Sequence, residues 1–242
     1  MEHVLTPDPF DALPRPRRRP QEHGRTPFDG LRPWSAITHG IGAALAILGT
    51  VLLLVKAVLT GADVWKIVSF SIYGASMIGL YTASTLYHSV HTTAKKRIAL
   101  RKYDHASIYF LIAGTYTPVC LTALRGPWGW SMFGIIWALA IAGLVMTLLW
   151  INCPRWLTST VYIAMGWLAV FAIYPLYLTL GMSGVMWLLS GGILYTVGGV
   201  LYALKWPARD NPRFGCHEIF HVFIVLGSVA HFMMVYHVLL PL

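Results

Sequence analysis

Long apolar stretches, separated by short breaks, fill the chain from residue 33 onward. Each stretch has about 20 to 25 residues, the length that a helix needs to cross a hydrocarbon core of about 30 Å. Gly61, Gly126-Pro127 and Pro154 interrupt the pattern where helices are expected to end. We therefore predict an all-α bundle of seven transmembrane helices within residues 33–242, at about 34–59, 64–88, 105–124, 128–150, 157–180, 183–205 and 217–240.

The segment before the first apolar stretch has a different pattern. Residues 1–32 are rich in proline, arginine and acidic side chains and show no repeating apolar face. This composition predicts a disordered basic tail. The tail lacks the apolar core and the small-residue cleavage site of a secretory signal. We expect the first apolar stretch to stay in the bilayer as a span.

Composition and charge agree with a membrane protein. The chain is 57% hydrophobic and 11% charged, whereas soluble domains carry roughly 25% charged residues. The net charge of +9 comes from clusters in the tail, in residues 95–102, at Arg155 and in residues 205–213. These clusters alternate with the spans, which is the positive-inside pattern and predicts no nucleic-acid binding. The N-terminus is thus predicted to be cytoplasmic and the C-terminus, after seven spans, outside. The exceptions to the clustering are Lys56, Lys66 and Arg125.

Ionisable residues inside spans are costly and usually functional. In the predicted topology, several of them lie at one level near the cytoplasmic face: His88 ends the second helix, Asp104 and His105 begin the third, and His217, Glu218 and His221 open the seventh. Three helices that are far apart in sequence therefore bring potential ligands to one depth.

The spacing of the histidines predicts a metal site. His217 and His221 are four residues apart, so their imidazoles project from one helix face about 6 Å apart along the axis. With His88 they supply the three protein ligands typical of catalytic zinc, whose fourth position holds water. Imidazole also binds copper, iron and nickel, and Zn²⁺ is preferred here by ligand type and abundance.

Several neighbouring residues allow more than one interpretation. The string His217-Glu218-Ile219-Phe220-His221 fits the H-E-x-x-H pattern in which the glutamate is a general base. Glu218 equally suits the N-terminal turn of a helix or the support of a ligand. Cys216 is a possible additional ligand. His39 and His231 either line a polar cavity or are packed, and His231 would lie about 15 Å deeper than His221.

Four segments carry a resemblance to a known family: 37–42 (ITHGIG), 84–89 (STLYHS), 104–118 (DHASIYFLIAGTYTP) and 217–232 (HEIFHVFIVLGSVAHF). Together they resemble the hemolysin III family, the bacterial branch of the progestin and adipoQ receptors. The resemblance covers the whole membrane portion. It departs at Ser35, where family members often have asparagine. It implies seven helices in the bacterial inner membrane, a cytoplasmic N-terminus, and zinc on His88, His217 and His221.

The resemblance also bears on activity. In the related adiponectin receptors and alkaline ceramidases, the equivalents of Ser84 and Asp104 lie close to the ion. The leading hypothesis is metal-dependent hydrolysis of a lipid amide or ester, with a ceramide-like or other acyl-chain substrate, Asp104 as base and Ser84 as hydrogen-bond donor. The alternatives are a membrane-homeostasis or receptor-like protein with structural zinc, a metalloprotease using Glu218, and a pore-forming hemolysin. The sequence leads to no prediction of oligomeric state.

Overall fold

The computed structural model describes residues 30–150, 152–208, 211 and 213–242, and this part of the chain is helical and contains no strand. The predicted all-α fold is confirmed for these residues. The helices are α1 (Pro33–Leu59), α2 (Val64–Ser89), α3 (Ala94–Pro118), α4 (Pro127–Leu149), α5 (Arg155–Trp167), α6 (Ile173–Leu204) and α7 (Cys216–Met234). Of the predicted disordered tail, residues 1–29 lie outside the described residues.

Short irregular helical segments extend or join these helices. A π-helical turn, Val119–Ala123, continues α3, and another, Val235–Leu239, continues α7. A 3₁₀ segment, Leu168–Ala172, joins α5 to α6. Within the described part of the chain, six helical stretches are long and apolar enough to cross a membrane. The prediction of a membrane protein with several spans is therefore confirmed.

The longest of these stretches, Trp156–Leu204, folds back on itself. It contains 49 residues, which would extend about 73 Å as one straight helix, more than twice the hydrocarbon thickness. At Gly181 the backbone has φ 64° and ψ −176°, a conformation that is essentially restricted to glycine. The indole nitrogen of Trp167 donates to the Thr196 hydroxyl at 2.8 Å. Since these residues lie on either side of Gly181, the chain forms two arms that run side by side.

The first three helices form a tightly packed unit. α1 packs on α2 and on α7, and α2 packs on α3. Close approach depends on glycines: a Cβ at Gly74 of α2 would lie 2.3 Å from Thr50 Cγ2 of α1, and one at Gly114 of α3 would lie 2.1 Å from Ser76 Oγ of α2. Small residues at such contacts let helix backbones approach in the absence of a hydrophobic driving force.

α3 begins at Ala94, eleven residues before the predicted start at 105. The basic segment that was predicted as a loop therefore forms the first turns of a helix, because alanine, lysine, leucine and arginine are strong helix formers. Arg97 is buried and its guanidinium donates to the carbonyls of Tyr87 and Val90 at the end of α2. Asp104 consequently lies well inside α3 rather than at its start.

Candidate metal centre

Three histidines meet where the end of α2 contacts the first turns of α7. One ring nitrogen each of His88, His217 and His221 lies within 4.8 Å of the others, and the Nε2 atoms of His88 and His217 are 3.2 Å apart. Two nitrogens bound to one tetrahedral zinc ion at 2.0–2.1 Å are about 3.3 Å apart. His88 and His221 are buried, and His217 is half-buried. The cluster could hold one metal ion.

Backbone carbonyls orient two of these rings. His88 Nδ1 lies 2.7 Å from the Gly30 carbonyl oxygen, and His221 Nδ1 lies 3.3 Å from that of Ser35. Because a carbonyl only accepts, each Nδ1 is the donor, which leaves Nε2 with a free lone pair. Metal-binding imidazoles are commonly oriented in this way, so the donor set suits a divalent cation.

The cluster consists of histidines alone. Among the described residues, neither Cys216 nor Asp104 belongs to the group of atoms that lie within 4.8 Å of one another. Cys216 is buried as a free thiol, and its predicted role as an additional ligand has no geometric support. Three ligands from two helices leave a coordination position for another group.

Glu218 holds the start of α7 against α1. Its Oε1 accepts hydrogen bonds from Ser35 Oγ at 2.9 Å and Arg32 Nη1 at 3.2 Å, and Oε2 accepts from the backbone N–H of Gly215 at 2.9 Å. The side chain is only 2% exposed. These contacts match the helix-terminal and supporting role that the sequence allowed. They leave Glu218 poorly suited to act as a general base.

Ser84 and Asp104 lie on the same cavity as the three histidines. The cavity has a volume of about 540 Å³, within the range of sites that hold small organic ligands. Ser84 and Asp104 are both buried, and their side chains are close to each other. The Ser84 hydroxyl has no well-formed hydrogen bond within the described part of the protein. Buried polar groups are normally satisfied, so this hydroxyl is available to a water or a ligand.

His39 also reaches this site. Its ring stacks on that of His221, with centroids 3.6 Å apart and planes inclined by 12°. It is 3% exposed, it lines the cavity, and neither ring nitrogen has a hydrogen-bond partner among the described residues. Of the two interpretations of His39, the structure therefore supports the one in which it lines a cavity.

His231 lies on the deeper part of the cavity wall. Its ring packs against the backbone of Gly191, where a Cβ would come within 2.4 Å of the imidazole. Nearby, the Ser228 hydroxyl is 2.7 Å from Tyr81 OH and 2.8 Å from Tyr195 OH. A polar patch thus lies inside the bundle, away from the three histidines.

Some residues of the site were not predicted as such. Gly30 and Arg32 belong to the segment predicted to be disordered, yet they contact His88 and Glu218. Their contacts use a backbone carbonyl and a long side chain, neither of which leaves a sequence pattern. Ser35 was noted only as a departure from the family. Ser35 precedes His39 by one helical turn, and this spacing is the feature of the sequence that could have indicated a place for Ser35 in the site.

An α-helical membrane bundle with a buried three-histidine cluster at one end is the class of protein that the fold and the site define. The model of the family described as haemolysin-III related matches residues 33–232, and the chain belongs to this family. The family predicted from the sequence is thereby confirmed.

Relatives are found in bacteria and in animals. Hemolysin-3 of Bacillus cereus is 42% identical over 208 residues, which cover 86% of this chain and 91% of the relative. The Hemolysin-3 homolog of Bacillus subtilis (strain 168) is 43% identical over 198 residues, 82% of this chain and 89% of the relative. The human Monocyte to macrophage differentiation factor is 26% identical over 177 residues, 70% of each chain.

Proposed function

We propose that this protein is a metal-dependent hydrolase of lipid amides or esters, with Zn²⁺ held by His88, His217 and His221. The observation that carries the proposal is one largely apolar cavity of about 540 Å³ that is lined by these three histidines together with Ser84 and Asp104. A carboxylate, a hydroxyl and a set of metal ligands are the groups that metal-assisted hydrolysis requires. The apolar remainder of the wall suits an acyl chain, as in a ceramide-like substrate.

The proposal includes an arrangement in the membrane. Because the stretch Trp156–Leu204 folds back at Gly181, its two arms are proposed as separate crossings, which makes seven in all. With the basic clusters on the inside, the N-terminus and the three histidines are proposed to lie at the cytoplasmic side and the C-terminus outside. The similarity to Bacillus proteins favours a bacterial plasma membrane.

Each polar residue has a defined task in the proposed reaction. A bound zinc ion would polarise the substrate carbonyl and acidify a water molecule. Asp104 takes a proton from the attacking water while the oxygen of that water forms a bond to the carbonyl carbon. Ser84 donates a hydrogen bond to the developing oxyanion. The C–N or C–O bond then breaks, and Asp104 returns the proton to the leaving amine or alcohol. The products are a fatty acid and an amine or alcohol.

The proposal is tested with purified protein in neutral detergent, by measuring zinc content and the release of fatty acid from a ceramide with a fluorescent acyl chain. His88→Ala should lose the metal and the activity. Asp104→Asn should keep the metal and lose about 100-fold or more in turnover, as expected for a general base. His237→Asn, which changes an exposed histidine outside the cluster, should retain both. Full turnover in Asp104→Asn, or unchanged zinc in His88→Ala, would contradict the assignment.

A second candidate function is non-enzymatic, with the metal acting as a staple between α2 and α7. It is favoured by the contacts of Arg32, Ser35 and Glu218, which already join α1 to α7 at the same place. Structural zinc sites are normally closed with four protein ligands. If cobalt-substituted protein shows no exchangeable water in its spectrum and does not hydrolyse the ceramide probe, the metal has this structural role instead.

A pore-forming activity is the remaining alternative, and it would be detected as dye release from liposomes that contain the purified protein.

A further inference from the structure

The three basic residues that lie outside the basic clusters of the sequence meet in one pocket. Lys56, Lys66 and Arg125 line a pocket of about 570 Å³. It is formed by the end of α1, the start of α2, the turn after α3 and the segment that follows α7. The three histidines lie at the start of α7 and the end of α2, so this basic pocket is at the opposite end of the bundle.

The acidic side chain on the wall balances only part of this charge. Asp63 Oδ1 accepts the backbone N–H of Lys66 at 2.9 Å and so caps α2. Its Oδ2 lies 3.4 Å from Arg125 Nη1. Neither Lys56 nor Lys66 forms an ion pair with another described residue. The side chains of the basic pocket therefore carry an excess of two positive charges.

Neutral groups hold the two ammonium groups in place. Lys66 Nζ donates to the Leu240 carbonyl oxygen at 3.2 Å, and Lys56 Nζ lies 4.0 Å from the centroid of the Tyr236 ring. An ammonium group has three donors, so these contacts position both lysines and leave donors for a further acceptor. The basic pocket is a preformed arrangement of cations with donors that no acidic side chain of its wall accepts.

The surroundings of the basic pocket are those of a lipid headgroup region. Helices begin and end there, and Trp65 packs edge to face on Trp130 with centroids 5.5 Å apart. Tryptophans at helix ends are typical of the membrane interface. Leu59 and Val64, close to the lysines in the chain, are 80% and 64% exposed. They offer apolar surface to acyl chains beside the cations.

We propose that the basic pocket binds the phosphate of an anionic phospholipid, with Lys56 and Lys66 as its principal donors. Basic side chains are otherwise concentrated at the other end of the bundle, so these cations require a local reason. A phosphodiester supplies a negative charge and acceptors for the remaining donors of the two lysines. The acyl chains of the same lipid would lie against the apolar ends of α1 and α2.

The experiment measures binding of phosphatidylglycerol to the intact purified protein in neutral detergent, by titration in native mass spectrometry. Phosphatidylcholine and inorganic phosphate are the comparison ligands. The variants are Lys56→Gln/Lys66→Gln, the charge-preserving Lys56→Arg/Lys66→Arg, and the control Lys95→Gln/Lys96→Gln. The control removes the same charge from exposed lysines at the other end of the bundle. Thermal unfolding without added lipid checks that each variant is folded.

Each lysine near a membrane surface increases the affinity for an anionic lipid roughly fivefold. The Lys56→Gln/Lys66→Gln protein should therefore bind phosphatidylglycerol about 20-fold more weakly. The arginine variant should stay within about twofold of the unchanged protein because it keeps both charges. The Lys95→Gln/Lys96→Gln control should also stay within about twofold, because its lysines lie at the other end of the bundle and this electrostatic effect falls off with distance. Equal loss in both glutamine variants would overturn the proposal, because it would indicate a general charge effect. Competition by inorganic phosphate at equal concentration, or equal binding of phosphatidylcholine, would also overturn it.

Discussion

Glu218 is the residue through which several distant parts of the chain meet. It accepts hydrogen bonds from Arg32, Ser35 and Gly215, and the carbonyl of Ser35 in turn contacts His221. The carboxylate thus lies behind the three-histidine cluster and acts on His221 through α1. A buried acceptor of this kind stabilises the fold because its removal leaves donors unpaired.

Glu218→Ala should lower the free energy of unfolding by about 2 kcal/mol or more. Metal affinity should fall about tenfold, as it does when groups that orient metal ligands are removed. Glu218→Gln keeps one acceptor oxygen for Ser35 and Arg32, but its amide group then faces the Gly215 N–H with a donor, so its effects should lie between those of the alanine variant and the unchanged protein. Denaturant unfolding and zinc titration measure these changes. An alanine variant as stable as the unchanged protein would show that these contacts contribute little.

At the scale of elements, glycines determine how closely α1, α2 and α3 approach. Gly74 on α2 lies against Thr50 of α1, and Gly114 of α3 lies against Ser76 of α2. Thr50 is branched at Cβ and its hydroxyl donates to the Ala46 carbonyl at 2.6 Å, so it is not free to rotate away. The register between α1 and α2 depends on the absence of a side chain at Gly74, and α2 carries His88.

Gly74→Ala should destabilise the protein by about 1–3 kcal/mol, the usual effect of overpacking. Gly79→Ala is the matched control on the same helix, because a Cβ there has no neighbour within 4 Å. It should be neutral or stabilising by up to about 1 kcal/mol, from the better helix propensity of alanine. Unfolding midpoints in detergent compare the two variants. Equal midpoints would contradict close packing of α1 against α2.

For the whole molecule, the two polar sites lie at opposite ends of one apolar bundle. The three histidines and most of the basic residues that the structure describes are at one end, and the basic pocket is at the other. The number of crossings decides which membrane face each end occupies. Seven crossings place the chain termini on opposite sides, whereas six place them on the same side. The turn at Gly181 makes the difference between these arrangements.

Topology reporters test the number of crossings. Alkaline phosphatase fused after Leu242 should be active, and a green fluorescent protein fused there should be dark, because the C-terminus is proposed to lie outside. The same reporters fused in the segment 95–102 should show the reverse behaviour. A fluorescent C-terminal fusion, combined with a cytoplasmic 95–102 segment, would exclude seven crossings.

The sequence by itself determined the local and statistical features of this protein. The lengths of the apolar stretches require helices, because only helices satisfy their backbone hydrogen bonds within a single span. Because His217 and His221 are four residues apart, the helical period puts both imidazoles on one face of α7. The four family segments identified the haemolysin-III relationship, which the comparison confirmed over residues 33–232.

Tertiary structure alone decided the contacts between helices. The meeting of His88 with α7, the carbonyls of Gly30 and Ser35 behind the rings, the early start of α3 and the basic pocket all depend on how helices are rotated and shifted against one another. That arrangement results from the packing of small residues such as Gly74 and from long-range hydrogen bonds such as those of Glu218. Sequence periodicity defines which residues share a helix face, but it does not specify which face of another helix they contact.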